Sequence, residues 1–181
     1  TSILGFTELL QKDAHANVKQ KEIFSIMARQ GNSLLNLVRD LLDLARIEVQ
    51  AQKTHQQSLQ SLSALTRLIV EEFKVPGDER KFILSLADHL PEVRLDSGQY
   101  RQMLSNLLSN ALKYSSSGSP VSVATKSEQR NGQVWLVVSV SDYGLGMSDD
   151  ELARLGERFY RANPGGKVSG TGLGLSVVKE L

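Results

Sequence analysis

Three short stretches carry residue types whose spacing could do chemistry. In Arg101 to Ser115, RQMLSNLLSNALKYS, the polar residues Asn106, Asn110 and Lys113 recur at i, i+4 and i+7. At 100° per residue they fall on one narrow stripe of a helix. A helix that needed only to be soluble would more naturally carry Glu and Lys there, because amide side chains compete with the backbone and have weaker helix propensity. Farther on, Asp142-Tyr143-Gly144-Leu145-Gly146 follows an apolar run, and Gly170-Thr171-Gly172-Leu173-Gly174-Leu175 precedes a run that can be helical. Glycines at alternate positions let a backbone approach a ligand closely and expose its N–H groups, and a following helix favours anionic phosphate. Each stretch has a plain alternative: two surface asparagines, an aspartate that forms a turn, a lone glycine repeat. All three in this order, over about 70 residues, are far less expected by chance.

Such a stripe needs a helix with a buried opposite face. Tyr100, Met103, Leu104, Leu107, Leu108 and Ala111 supply one, and Asp96 or Ser97 is the expected cap. Around it, a short strand is predicted over 58–62 and a helix over 64–74 with Leu65, Leu68, Ile69 and Phe73 inward, ended by Pro76-Gly77-Asp78. Phe82 to Ala87 and Val93 to Leu95 read as strands. Val121 to Lys126 and Val134 to Val140 are rich in β-branched residues and meet across Asn131-Gly132, a strong hairpin signal. Residues 151–155 suit a short helix, and 162–169, ANPGGKVS, a mobile loop. The predicted composite is α+β, a two-layer α/β sandwich with helices on one face of a mixed sheet.

The first fifty residues differ. Thr1 to Leu10, TSILGFTELL, has helical spacing, residues 11–20 read as a polar connector, and from Lys19 to about Val49 the positions Ile23, Met27, Leu34, Leu37, Leu41 and Leu44 follow a 4-3 pattern. Thirty helical residues span about 45 Å, too long and one-sided to stand alone. The two segments read as a helical hairpin that a second copy could complete into a four-helix bundle. A coiled-coil linker, or a hairpin packed on its own domain, fits the pattern as well. Polar residues 50–57 mark the expected boundary.

Asn106 to Tyr114 and the two glycine blocks resemble the N, G1 and G2 boxes of sensor histidine kinases, and Glu157-Arg158-Phe159-Tyr160-Arg161 is similar to the F box of that family. The resemblance spans almost the whole chain. It implies a sandwich of the histidine-kinase, gyrase and heat-shock-chaperone ATPase type, preceded by a dimerisation and phosphotransfer hairpin. The implied division is 1–50 hairpin, 51–57 linker and 58–181 ATP-binding catalytic domain. TSILGFTELL looks like the part of the first hairpin helix just after the phosphoacceptor motif. Neither His15 nor His55 matches the acceptor position, so the acceptor is expected upstream of residue 1, and the family's final strands are expected beyond Leu181. The fragment alone would hold ATP without the nucleophile that receives its phosphate.

The resemblance also implies roles. Asn110 would coordinate Mg²⁺ bridging the ATP phosphates, since a neutral amide oxygen suits a hard cation that keeps several waters and takes its negative ligands from phosphate. Lys113 would add positive charge, and Tyr114 would pack near the adenine or ribose. Asp142 would accept from the adenine amino group, with Gly144 and Gly146 admitting the base. Gly170, Thr171, Gly172, Leu173 and Gly174 would bring backbone to the phosphates under a lid that begins at Phe159, Tyr160 and Arg161. Related gyrase-type ATPases place a water-activating Glu where this chain has Asn106; an amide is no general base, so ATP would be kept for transfer. The implied partners are a second copy through the hairpin and the receiver domain of a cognate response regulator.

Composition sets outer limits. Lys and Arg number 21 against 20 Asp and Glu, which offers no net field for nucleic acid or an anionic membrane. With no cysteine, disulfides, zinc-thiolate sites and thiol catalysis are excluded. His15, His55 and His89 lack metal-ligand spacing. No apolar run approaches the ~20 residues of a membrane span, so this piece is expected to be cytoplasmic without membrane contact of its own. Two other functions fit parts of the pattern: a catalytically silent ATP-binding scaffold, and a gyrase-type conformational ATPase.

Overall fold

The computed structural model describes residues 5–7, 9–10, 17–50, 57–74, 80–116, 118–162 and 170–181. The Pro76-Gly77-Asp78 break, most of the predicted linker, most of the connector, His15, His55 and the lid loop 163–169 lie outside them.

Residues 5–7 and 9–10 are helical, and the long helix α1 runs Val18–Gln50. It starts one residue before the expected Lys19, where Asn17 and Gln20 exchange hydrogen bonds, Asn17 Oδ1 accepting from Gln20 N and Gln20 Oε1 from Asn17 N, both at 2.9 Å. That reciprocal arrangement satisfies two helix-end donors at once. Ile23, Met27 and Leu34 form an exposed apolar row, Leu34 being 64% exposed.

The remainder is a two-layer α/β sandwich. β1 (Ser58–Gln60) leads to α2 (Leu62–Glu72), whose cap Ser61 accepts from Ala64 N. β2 (Phe82–Leu86) and β3 (Val93–Leu95) precede α3 (Ser97–Tyr114), capped by Asp96 accepting from Gly98 N and Gln99 N. β4 (Val121–Arg130) and β5 (Gln133–Ser141) form a hairpin through Asn131 and Gly132, with φ of 51° and 76°. Two consecutive left-handed residues match the right-handed twist of paired strands, which is why Asn-Gly marks the turn. α4 (Asp149–Ala153) opens with a capping box between Ser148 and Glu151, and α5 (Gly174–Glu180) closes the described chain.

The sheet is mixed, as expected, but divided. β4 pairs parallel with β2 and antiparallel with β5 in the order β2-β4-β5, while β1 and β3 pair antiparallel as a separate ribbon. The core lies between α2, α3 and the larger sheet: Leu62, Ile69 and Val70 meet Leu104, Leu108 and Ala111 over Val121 and Val123. Leu68 departs from the predicted inward set and is 61% exposed. The buried arc of α2 is centred on Leu62, Thr66, Ile69 and Phe73, and Leu68 points more than 100° away from it. Thr66 can occupy the arc because its hydroxyl is bonded to Leu62 O at 2.7 Å and to Tyr100 Oη. No helix of the described residues is long and apolar enough to cross a membrane.

Candidate functional site: an amide-bearing helix between two glycine blocks

Burial of Tyr100, Leu104, Leu108 and Ala111 fixes the rotation of α3. Asn106 and Asn110 are thereby half-buried at the edge of the core face, and Lys113 and Tyr114 are exposed. Among the described residues the side chains of Asn110 and Lys113 make no hydrogen bond or ion pair, leaving both available to a ligand.

The first glycine block meets the C-terminal end of this helix. Ser115 pairs with Gly144 in an isolated antiparallel bridge, and Ser115 Oγ donates to Ala111 O at 2.6 Å. Asp142 Oδ1 accepts from Gly144 N at 2.7 Å, so the aspartate shapes its own turn. A Cβ on Gly144 would lie 2.6 Å from Asp142 Oδ1 and 2.7 Å from Tyr114 O, so only glycine fits against the helix end. Gly146 has φ of 67° and nothing within 4 Å of a Cβ.

The second block meets both ends of the stripe. Asn106 Nδ2 donates to Gly174 O at 3.2 Å, and a Cβ on Gly170 would lie 3.9 Å from Tyr114 Oη. Asn106, Asn110 and Tyr114 are i, i+4 and i+8, so Asn110 sits one turn from either anchor along the helix. Within the second block, Leu173 is fully buried with Val177 against Leu181, Thr171 Oγ1 accepts from Leu173 N at 3.3 Å, and Ser176 Oγ donates to Leu173 O at 2.7 Å.

The aromatic segment is docked on that block. Phe159 N donates to Gly172 O at 3.1 Å, and Phe159 itself holds a left-handed φ of 65°. Arg158 pairs with Glu180 at 2.8 Å, and Arg154 lies 4.0 Å over the Tyr160 ring. Glu157, hydrogen-bonded to Arg154, pushes that guanidinium above its usual range. Arg161 is half-buried at the entry to the loop.

The structure thus brings Asn106 to Gly174 and Tyr114 to Gly144 and Gly170, and ties Phe159 and Tyr160 to Gly172. Ser115 and Glu180 did not stand out in the sequence. Ser115 is an ordinary residue after a helix, and Glu180 lies 22 residues from its partner with no periodic relation to it, so neither left a signal.

Residues 95–181 match the family described as histidine kinase-, DNA gyrase B- and HSP90-like ATPases, and residues 1–50 match the His Kinase A (phospho-acceptor) domain. The chain is 30% identical over 184 residues to the sensor protein EvgS of Escherichia coli strain K12, an alignment covering 100% of this chain and 15% of EvgS. It is 29% identical over 185 residues to the sensor histidine kinase WalK of Bacillus subtilis strain 168, covering 100% of this chain and 30% of WalK. The crystal structure of full-length ShkA in complex with AMPPNP superposes with a TM-score of 0.69 at 27% identity, over 98% of this chain and 36% of ShkA. This chain therefore spans only 15% and 30% of the length of those two curated relatives. With a phosphoacceptor-domain match followed by an ATPase-domain match, and with whole-chain likeness to sensor kinases in both sequence and structure, the chain belongs to the sensor histidine kinases.

Proposed function

We propose that this chain binds Mg-ATP between α3 and the two glycine blocks and serves as the catalytic part of a kinase that phosphorylates a histidine, for relay to an aspartate on a response regulator. Residues 58–181 are the nucleotide-binding unit in this reading, 51–57 the linker, and 1–50 the dimerisation and phosphotransfer hairpin. The acceptor is a histidine of the longer parent protein.

The observation that carries the nucleotide assignment is at Gly174. Its backbone is not left-handed, and a Cβ would sit 3.6 Å from the nearest described atoms, an ordinary contact. The fold itself tolerates a side chain there, so a glycine is best explained by a ligand lying against the backbone. That ligand would face Asn110 and Lys113, an unengaged amide and an unengaged cation, which suits a metal-bound polyphosphate. The AMPPNP bound to ShkA supports an adenine nucleotide.

The donor set fits magnesium in one way. Among the described residues no cluster of three His, Cys, Asp or Glu could hold a metal. A Mg²⁺ would take the Asn110 amide oxygen from the protein and its other ligands from phosphate and water. When bound with the nucleotide, Mg²⁺ neutralises phosphate charge for transfer. Lys113 adds charge at the same place, Tyr114 covers the sugar or base between the blocks, and Asp142 selects adenine through its amino group. Gly144 and Gly146 admit the base; Gly170, Thr171 and Gly172 line the phosphates, while Leu173, expected beside them, is fully buried and anchors the block instead; Phe159, Tyr160 and Arg161 begin the lid. Asn106, an amide, is unable to activate water, which favours transfer over hydrolysis. The exposed row Ile23, Met27 and Leu34 supports pairing with a second hairpin.

Single-turnover transfer of labelled phosphate from ATP, in a protein extended upstream through a histidine motif, tests the assignment. Label is expected on histidine and is lost in Asn110→Ala. Rapid steady-state ATP hydrolysis without labelled protein would count against it.

A further inference from the structure

We propose that Asn106 is a positioning residue that latches the second glycine block to α3 and so sets how closely the phosphate-binding backbone stands over Asn110. The inference rests on the nucleotide reading above and assigns this side chain a task within it.

Three observations carry it. The Asn106 amide is half-buried and donates through Nδ2 to Gly174 O at 3.2 Å, across 68 residues of sequence. Its Cγ and Oδ1 each lie 3.6 Å from where a Gly174 Cβ would stand, so the amide lies beside the Cα of that glycine. Leu173, the residue just before, is fully buried and carries two further hydrogen bonds, from Ser176 Oγ at 2.7 Å and to Thr171 Oγ1 at 3.3 Å. Leu173 therefore anchors the block in its own small core with Val177 and Leu181, whereas Asn106 connects that small core to the helix of the main core.

The chemistry explains the residue type. A carbonyl acceptor requires a donor, and asparagine supplies one without charge. Aspartate at this site would set a carboxylate against the Gly174 carbonyl, with no proton to share near neutral pH. Alanine would leave the carbonyl without its side-chain partner. Because Asn110 lies one turn along the same stripe, a change in the seating of Gly174 alters the distance between the second glycine block and the helix turn that carries Asn110. Asn106 acts through the block it holds.

A metal-ligand role and a latch role make opposite predictions for one substitution. If the side chain ligated Mg²⁺, Asn106→Asp would tighten the metal; as a latch, the same change weakens nucleotide binding. The test titrates the 181-residue chain and its Asn106→Ala, Asn106→Asp and Asn106→Gln variants with a fluorescent ATP analogue at several Mg²⁺ concentrations. Amide hydrogen exchange of residues 174–178 is followed in parallel without nucleotide, with thermal melting to confirm that each variant is folded.

Asn106→Ala is expected to weaken the analogue about tenfold, the value of one neutral hydrogen bond at the upper end of its usual range. Its Mg²⁺ midpoint should not move, and exchange should quicken at 174–178 even in the free protein. Asn106→Asp should bind more weakly than alanine, and Asn106→Gln, which keeps the donor on a longer arm, should recover part of the loss. Unchanged exchange and affinity in Asn106→Ala, or tighter Mg²⁺ in Asn106→Asp, overturns the latch while leaving the nucleotide site standing. Failure of the unsubstituted chain to bind the analogue overturns the nucleotide reading and the latch's purpose with it.

Discussion

Gly172→Ala isolates what the fold demands of the second glycine block. Gly172 has φ of 75°, and an added Cβ would stand 2.7 Å from Phe159 C, 2.8 Å from Tyr160 O and 2.9 Å from Phe159 O, all backbone atoms. A left-handed alanine costs about 1–2 kcal/mol, and overpacking of this kind about 1–3 kcal/mol more, so the docked state is strained by ~2–5 kcal/mol. The molecule has a cheaper response. Releasing the aromatic segment gives up the Phe159–Gly172 hydrogen bond, about 0.5–1.5 kcal/mol, and the exposed Arg158–Glu180 pair, about 0–1 kcal/mol. Because ~0.5–2.5 is smaller than ~2–5 kcal/mol, the segment is expected to undock while the main core holds. Amide hydrogen exchange is the assay: in Gly172→Ala the Phe159 N–H should lose its protection, the amides of α3 should keep theirs, and, under the proposed function, nucleotide affinity should fall because the second glycine block loses the segment docked on it. Gly174→Ala is the companion variant, with room for its methyl and a gain in helix propensity; its free form should be at least as stable as the original while nucleotide binding falls. Full protection at Phe159 in Gly172→Ala would refute the reasoning, as would a global loss of structure.

Asp142→Asn keeps an acceptor for Gly144 N, so the turn and the melting temperature should hold, while the preference for ATP over GTP analogues in a competition titration should drop at least tenfold, the worth of a charge-assisted hydrogen bond at about 1.5–3 kcal/mol. Tyr100 is held above the ordinary tyrosine pKa by burial, opposed by its hydrogen bond to Thr66. With the folded value above the unfolded one, the native state keeps a proton the unfolded chain gives up. Stability should therefore be full below pH ~10 and fall as pH rises beyond it. Tyr100→Phe should remove that alkaline dependence in denaturant titrations. It should cost about 1 kcal/mol at neutral pH, since Thr66 still donates to Leu62 O.

Much of the fold was legible because its signals are local. The 4-3 spacing of α1, the apolar arc of α3, the Asp96 cap and the Asn131-Gly132 turn each depend on residues within a few positions of one another, and each stands in the structure at or near its expected place. The misplaced residue of α2 has a non-local cause. Leu68 fits the helical spacing of the expected inward set with Leu65, Ile69 and Phe73, but the buried arc of α2 is completed by Thr66, whose hydroxyl is bonded to Leu62 and to Tyr100 of α3.

By itself the sequence pointed to the residues that could serve a nucleotide: the amide stripe and the two glycine blocks from residue type and spacing, and the aromatic segment from its resemblance to the F box. Only the tertiary structure decided how they are joined. The bridge from Ser115 to Gly144, the bond from Asn106 to Gly174 and the docking of Phe159 on Gly172 link residues 13 to 68 positions apart, none with a periodic relation to its partner. A helical period constrains neighbours a turn away, but it carries no information about which backbone carbonyl will arrive opposite a side chain once two cores have packed.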